Sequence, residues 1–200
     1  MRAQPFLESD ALGDPLEQFR RWWQDAQGVV PLPEAMAVAT ATADGAPSVR
    51  MVLLKQADER GFVFHTNYES RKGRELTANP RAALLFHWYE LGRQVRIEGA
   101  VEQLADEESD RYFETRPLSG RLSAWISRQS EAIPSREELE ERVETLRQHL
   151  GEELIRPDFW GGYRLIAETY EFWQHRDDRL HDRFQYRRDG DRWVRERLAP

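Results

Sequence analysis

Apolar residues along this chain change their period several times, and the changes mark its elements. In "DPLEQFRRWWQDAQ" (14–27), Leu16, Phe19, Trp22 and Trp23 recur at helical spacing. Asp14 stands at an N-cap position and Pro15 suits the first helical residue, so a helix is predicted here. Residues 1–13 show no such period and are expected to form a flexible arm ahead of a single domain over residues 14–200. Pro31 and Pro33 end the helical stretch.

The period then shortens. "AMAVATATADGAPSVRMVLLK" (35–55) reads as two strands around Asp44-Gly45, a hairpin signature. "GFVFHTN" (61–67) is a third strand after the turn "ADERG", and "RAALLFHWY" (81–89) is a fourth. In "RQVRIEGAVEQL" (93–104), Val95, Ile97, Gly99 and Val101 alternate with Arg96 and Glu98, giving a fifth. Closely spaced strands of this kind predict an antiparallel barrel. Helical spacing returns over 106–116, 119–129 and 135–150. In the last, Ser135 and Glu138 read as a capping box ahead of a Leu139, Val143, Leu146, Leu150 stripe. Two more strands are expected over about 162–174 and 182–197. The predicted class is mainly β with peripheral helices, α+β.

Composition narrows the function classes. A chain of 200 residues, 40% hydrophobic, suits one globular domain. No apolar run approaches the ~20 residues of a membrane helix. "MRAQPFLESD" has no apolar segment of the signal type, so the chain is read as unexported and cytoplasmic. The absence of cysteine removes disulfide and thiolate chemistry, and the five histidines show no zinc-site spacing. A net charge of −7 argues against nucleic acid or an anionic membrane as partner. Of the 29 basic residues only Lys55 and Lys72 are lysines, and both fall in segments that suggest anion sites.

In "NYESRKGREL" (67–76), Ser70 is placed as an N-cap, which puts Arg71 and Lys72 in the first turn of a helix. Cations there oppose the helix dipole unless an anion lies between them and the free backbone N–H groups. The segment is a phosphate site or a solvated basic turn. In "SVRMVLLK" (48–55), Arg50, Val52 and Leu54 share one strand face while Met51, Leu53 and Lys55 share the other. The two cations serve two different anions or guard an edge strand. Tyr112 and Arg116, spaced i, i+4, offer a hydroxyl and a forked guanidinium to a phosphate, or are a packed tyrosine beside a surface arginine. Gln129 and Ser130 add neutral donors, and Trp173 reads as core or as site. In "RLHDRF" (179–184), Arg179, His181 and Arg183 alternate onto one strand face. That segment is either a solvated strand edge or a grip on an anionic aromatic molecule.

Taken in order, "RMVLLK", "SRK", "RQVRIEG", "SRQS", "FWGGYR", "EFWQ" and "RLHDRF", ending in "ERLAP", closely resemble the pyridoxine/pyridoxamine 5′-phosphate oxidase family from about residue 14 to the C-terminus. The resemblance implies a split β-barrel, an FMN cofactor and a homodimer with sites at the subunit interface. A C-terminal segment of about residues 160–200 would serve dimerisation and substrate. It implies oxidation of pyridoxine or pyridoxamine 5′-phosphate at the 4′ carbon to pyridoxal 5′-phosphate, with dioxygen as acceptor and hydrogen peroxide as product. By the same resemblance Arg50, Met51, Val52, Leu53, Leu54 and Lys55 line the flavin, with Arg50 on its phosphate. Arg71 and Lys72 hold that phosphate, and His65, Thr66, Gln94, Gln129, Ser130, Trp173 and Arg183 complete the flavin site. Lys55, Tyr112 and Arg116 face the substrate phosphate. Arg179, Leu180 and His181 lie at the pyridine ring, Arg179 and His181 being the candidate catalytic pair.

Three positions depart from the family pattern, one of them Ser123, where a glycine is usual. Gly120 stands where the family often has a serine on the substrate phosphate, leaving Ser119 or a backbone N–H to serve. His65 stands where another aromatic residue is common. Two rival readings follow: a flavin oxidase of the phenazine-biosynthesis type acting on another ring system, and a split-barrel protein that only carries flavin or haem.

Overall fold

Asp14 caps the first helix as its position requires, its carboxylate accepting from the N–H groups of Leu16 (2.7 Å) and Glu17 (3.1 Å). In the computed structural model, which describes residues 4–149 and 154–200, this helix α1 (Pro15–Ala26) lays Phe19 and Trp22 into the barrel. Each is at most 2% exposed, and burying a large apolar side chain contributes about 1.5–3 kcal/mol. The Phe19 ring meets Phe62 at 5.0 Å and Phe86 at 5.1 Å.

The remaining elements follow in chain order. They are β1 (Ala35–Ala41), β2 (Pro47–Leu53), β3 (Gln56–Asp58), β4 (Gly61–Asn67), α2 (Arg71–Ala78), β5 (Arg81–Trp88) and β6 (Arg93–Gln103). After them come α3 (Asp106–Thr115), α4 (Leu118–Ile126), α5 (Arg136–His149), β7 (Trp160–Gln174), β8 (Asp182–Asp189) and β9 (Arg192–Arg197). All pairings are antiparallel, in the order β2-β1-β5-β6-β7-β4-β3. The sheet forks at β7, whose first half (Trp160–Leu165) pairs β4 and whose second half (Thr169–Gln174) pairs β8. It also curls, bringing β2 up against β4. This half-barrel agrees with the barrel expected from the strand spacing.

Four expectations change. The stretch 182–197 is a hairpin, not one strand: Asp189 pairs Arg192 across Gly190-Asp191, and Gly190 takes a positive φ of 59°. The short strand β3 was not foreseen. The arm is docked rather than loose from Pro5 onward. Phe6 is 4% exposed, its ring 5.0 Å from both Trp22 and Phe184, and its N–H donates to Asp182 (3.0 Å). Arg197 ties Glu8 (2.6 Å) to Asp182 (2.8 Å). Tyr186 and Arg195 add bonds to the Leu12 and Ala11 carbonyls, and none of these contacts shows as a period. The capping box is half formed: Ser135 accepts from the Glu138 N–H (3.3 Å), but the Glu138 carboxylate goes to Arg142 (3.0 Å). Val143 and Leu146 pack on a second cluster of Phe113, Leu122, Leu154 and Trp160; Leu150 lies outside the described residues. Among the described residues no helix is long and apolar enough to cross a membrane.

Candidate active site

One wall of the fold opens into a cavity of roughly 870 Å3 between β2, the end of β4, the start of α2, the end of α3, and α4. That size falls in the range of small-molecule sites. At its α2 end, Ser70 caps the helix through the Gly73 N–H (3.3 Å). A Cβ on Gly73 would lie 1.9 Å from the Tyr68 carbonyl oxygen, so this tight turn depends on glycine. Lys72, only 6% exposed, donates to Gln129 Oε1 (2.5 Å), Thr66 Oγ1 (2.9 Å) and Ser70 Oγ (3.2 Å), all neutral oxygens. Burial, helped by the charge of Arg50 and opposed by that of Glu75, pulls its ammonium down to about 8.

Arg50 and Arg71 reach the same end from different elements. Arg50 donates to Thr40 Oγ1 (2.5 Å), and Arg71 donates through Nε to Glu75 Oε1 (2.9 Å). Glu75, 4% exposed, also accepts from Ser48 (2.5 Å) and lies 3.4 Å from Arg50. Burial works to raise its carboxyl, yet the bonds from Ser48, Thr40 and Arg71 and the charge of Arg50 outweigh it and bring it down to about 2. Two arginines thus share one carboxylate, with the Lys72 ammonium beside them at a helix N-terminus, a donor set suited to a phosphate. Ser130, at a positive φ of 77°, accepts from the Arg71 N–H (3.1 Å), and Asn67 Nδ2 donates to the Ser127 carbonyl (3.1 Å). The 127–130 loop is thereby fastened over the start of α2.

The other end is aromatic and cationic. His65 stacks on Tyr112 at 3.9 Å and lies 5.4 Å from Trp160. Burial first, then the charges of Arg116, Lys55 and Arg156, push its imidazole down to about 3, so it is neutral at physiological pH. Lys55 stands 5.9 Å from the Tyr112 ring centre and Arg116 lies 4.6 Å over Trp160. Both His65 ring nitrogens and Arg116 Nη1 are buried without a partner. A Cβ at Gly120 would meet Arg116 Nη2 at 3.2 Å, so the guanidinium occupies room that the glycine leaves.

The remaining predicted residues do not line this cavity. Leu54 is in the core at 7% exposure, its N–H donating to the Glu34 carbonyl (2.9 Å). Gln94, Trp173 and Arg183 form a row across three strands, each directly opposite the next. The next row on that face is Arg96, Glu171 and Gln185. Arg183 bonds Glu171 through Nε (2.8 Å) and the Ala199 carbonyl through Nη1 (2.8 Å). The expected alternation of Arg179, His181 and Arg183 on one strand is corrected, because β8 begins only at Asp182. Arg179 sits in a turn with φ 64°, Leu180 is 65% exposed, and His181 accepts from the Arg176 N–H (3.1 Å) with its ring 4.5 Å from Trp173. The predicted residues therefore fall into two groups. Glu75, Glu171, Asn67 and Trp160 were missed as site residues. Only the i, i+4 spacing of Arg71 and Glu75 hinted at one of them.

Comparison with known proteins bears on both groups. Residues 23–150 match the family described as pyridoxamine 5′-phosphate oxidase. Residues 160–200 match the pyridoxine 5′-phosphate oxidase C-terminal dimerisation region. The pyridoxine/pyridoxamine 5′-phosphate oxidase of Thermosynechococcus vestitus is 58% identical, over 100% of this chain and 95% of that protein. That of Cupriavidus taiwanensis is 56% identical, over 96% and 92%. The crystal structure of PhzG from Burkholderia lata, in complex with tetrahydrophenazine-1-carboxylic acid, superposes with a TM-score of 0.93 at 37% identity, covering 100% of this chain and 99% of that one. An FMN-binding protein from Nostoc punctiforme, at 15% identity and a TM-score of 0.75 over 95% and 100%, shares the fold.

Proposed function

The chain belongs to the pyridoxamine 5′-phosphate oxidase family, oxidoreductases that make pyridoxal phosphate from pyridoxine and pyridoxamine 5′-phosphates, and we propose that it works with FMN in a site shared by two subunits. The observation that carries the cofactor reading is Lys72, a buried ammonium held only by neutral oxygens at a helix N-terminus. A terminal phosphate supplies the charge this position lacks. FMN, when bound, would supply the two-electron redox chemistry with dioxygen as final acceptor, so that the alcohol gives the aldehyde and hydrogen peroxide, and the amine, with one water, gives the aldehyde, ammonia and hydrogen peroxide.

The chain's own residues bind and orient. Arg50, Arg71 and Lys72 hold the cofactor phosphate, with Gln129 and Ser130 closing over it. Met51 through Leu53 back the ring. Lys55, Tyr112 and Arg116 take the substrate phosphate, and the neutral ring of His65 braces Tyr112 from behind. Gly120 contributes its N–H and the space into which Arg116 folds.

Gln94, Trp173, Arg179, His181 and Arg183 would complete the site from a second subunit. Two observations support this composite. Gln94, Trp173 and Arg183 share a sheet face of their own, His181 lies against Trp173, and none of the five lines the cavity. The edge strand β2 also exposes Val49 (67%), Met51 (64%) and Leu53 (37%) beside the cavity, an apolar edge that asks to be covered. Arg179 and His181 would then lie over the pyridine ring, while Trp173 and Arg183 face the flavin.

The deciding measurement is turnover of pyridoxine 5′-phosphate under oxygen with hydrogen peroxide detected in equal amount. A yellow protein that fails this assay would be a carrier. The phenazine-type reading, favoured by the PhzG likeness and by Gly120, requires faster turnover of a tricyclic carboxylic acid than of pyridoxine 5′-phosphate. Curated relatives at 55–58% identity weigh against it.

A further inference from the structure

Glu171 is a buried carboxylate that the reading above does not use. It is 7% exposed near the end of β7, and its two oxygens go to two arginines on the two flanking strands. Oε2 accepts from Arg96 on β6 (2.5 Å), and Oε1 accepts from both Nε and Nη2 of Arg183 on β8 (2.8 Å each). Arg96 has a further partner in Glu98 (2.8 Å). Two residues on, Trp173 shares the Glu171 face and stands directly opposite Arg183.

A buried ion pair is poor value as a source of stability, because taking its charges out of water offsets most of their attraction. What this one supplies is direction and charge balance. Held through Nε and Nη2 by Glu171 and through Nη1 by the Ala199 carbonyl, the Arg183 guanidinium has one orientation. Two arginines and the carboxylates of Glu171 and Glu98 leave the patch without excess charge. An arginine without that countercharge, facing a flavin, would stabilise its electron-rich reduced form.

We propose that Glu171 is a positioning residue that fixes the Arg183 guanidinium beside Trp173 and offsets its charge, thereby setting the redox balance of the flavin placed against that row. This rests on the FMN reading above. The test uses the full-length dimer. It measures FMN affinity of the apoprotein by fluorescence titration, the flavin midpoint potential against reference dyes, and the melting temperature. Glu171→Gln removes the charge at nearly constant shape and is expected to raise the potential. Glu171→Asp keeps the charge but shortens the reach. It is expected to leave the potential at the parental value and weaken FMN about tenfold, the loss of one charge-assisted hydrogen bond. Should Glu171→Gln fail to fold, the Glu171→Gln/Arg96→Gln pair, which keeps the patch neutral, is expected to hold the parental potential while weakening FMN; parental FMN affinity in the pair overturns the positioning role. A Glu171→Gln protein with a lower melting temperature but parental potential and FMN affinity overturns the proposal, as does a lowered potential. Arg183→Ala separates the two readings. If it keeps parental FMN affinity and spectrum, the flavin reading of the row fails. If it loses FMN while Glu171→Gln changes neither affinity nor potential, only the Glu171 proposal fails.

Discussion

The cluster at the start of α2 and the row across β6, β7 and β8 both gather arginines, yet they are built in opposite ways. At α2, two arginines lean on one carboxylate, and Lys72 is buried among neutral oxygens at the cost of a depressed ammonium. In the row, Arg183 already has every contact it needs from Glu171 and Ala199. In the proposed reading the first region is an anion receptor whose electrostatics are completed by its ligand. The second is a finished surface whose value lies in geometry. Salt and pH should therefore act on the first, whereas the second should answer to changes of shape and to loss of its internal countercharge.

The largest effect expected is on the receptor. Arg71→Ala with Lys72→Ala removes two charge-assisted contacts, about 3–6 kcal/mol of FMN binding if they add. The loss should be greater at low ionic strength, where charge pairing is least screened. Fluorescence titration measures it, and parental affinity in the double variant would erase the contrast between the regions.

Next comes the turn beside the row. Arg179→Ala or His181→Ala should keep bound flavin while kcat/KM falls roughly 10- to 150-fold, the equivalent of one charge-assisted contact. Arg179→Lys keeps the charge without the planar fork. Rescue by lysine would mean that charge dominates here too, against the geometric reading of this region.

The pH dependence sharpens the comparison. An anion beside Lys72 favours its protonated form, so binding raises an ammonium that stands at about 8 in the free site. FMN affinity should be flat from about pH 7, above the second ionisation of its phosphate, to pH 8, and fall as pH rises further, by up to about tenfold per unit. Lys72→Arg, which stays charged, should flatten the curve. In folding terms the sign is reversed: burial penalises the charged lysine, so its contribution to stability improves as pH climbs from 8 toward the unfolded value. Arg183→Ala, which retains Lys72, should keep the parental slope; a slope as steep in Lys72→Arg as in the parent would contradict this assignment. His65, already neutral, should leave no inflection between pH 5 and 8.

The smallest effect is at Gly120. A serine there must push the Arg116 guanidinium back by a few tenths of an ångström, since its Cβ would sit 3.2 Å from Nη2. It brings a hydroxyl to the phosphate end in exchange. KM for pyridoxine 5′-phosphate should fall roughly two- to tenfold, one neutral hydrogen bond, with kcat little changed. A rise in KM would show that Arg116 needs the space more than the substrate needs the hydroxyl.

Much of this molecule was legible in its residues. The helix over Pro15–Ala26, the Asp44-Gly45 hairpin and the strands at 61–67, 81–88 and 93–103 follow from local period and capping, which act between near neighbours. Lys72 stood out because a cation in a first helical turn is a local contradiction. Other features hid for reasons of the same kind. Asp189-Gly190 carries the hairpin pair seen at Asp44-Gly45, but its flanks are charged on both faces, so no alternation marked two strands. The docked arm depends on Phe6 meeting Phe184, whose separation in the chain leaves no periodic trace.

By itself, then, the chain determined its elements, its cation-rich segments and the order of motifs that mark its family. The tertiary structure decided which side chains share a site. Leu54, in the middle of a site motif, turns to the core because the strand ends before it and its N–H is needed by Glu34. Glu75 and Glu171 become hubs because strands far apart in sequence bring arginines and hydroxyls to them. Arg50 and Arg183, read as partners on one cofactor, lie in separate regions of the chain. Local rules set period and caps at low entropic cost, whereas the meeting of distant side chains depends on sheet register and curl, which only the packed whole defines.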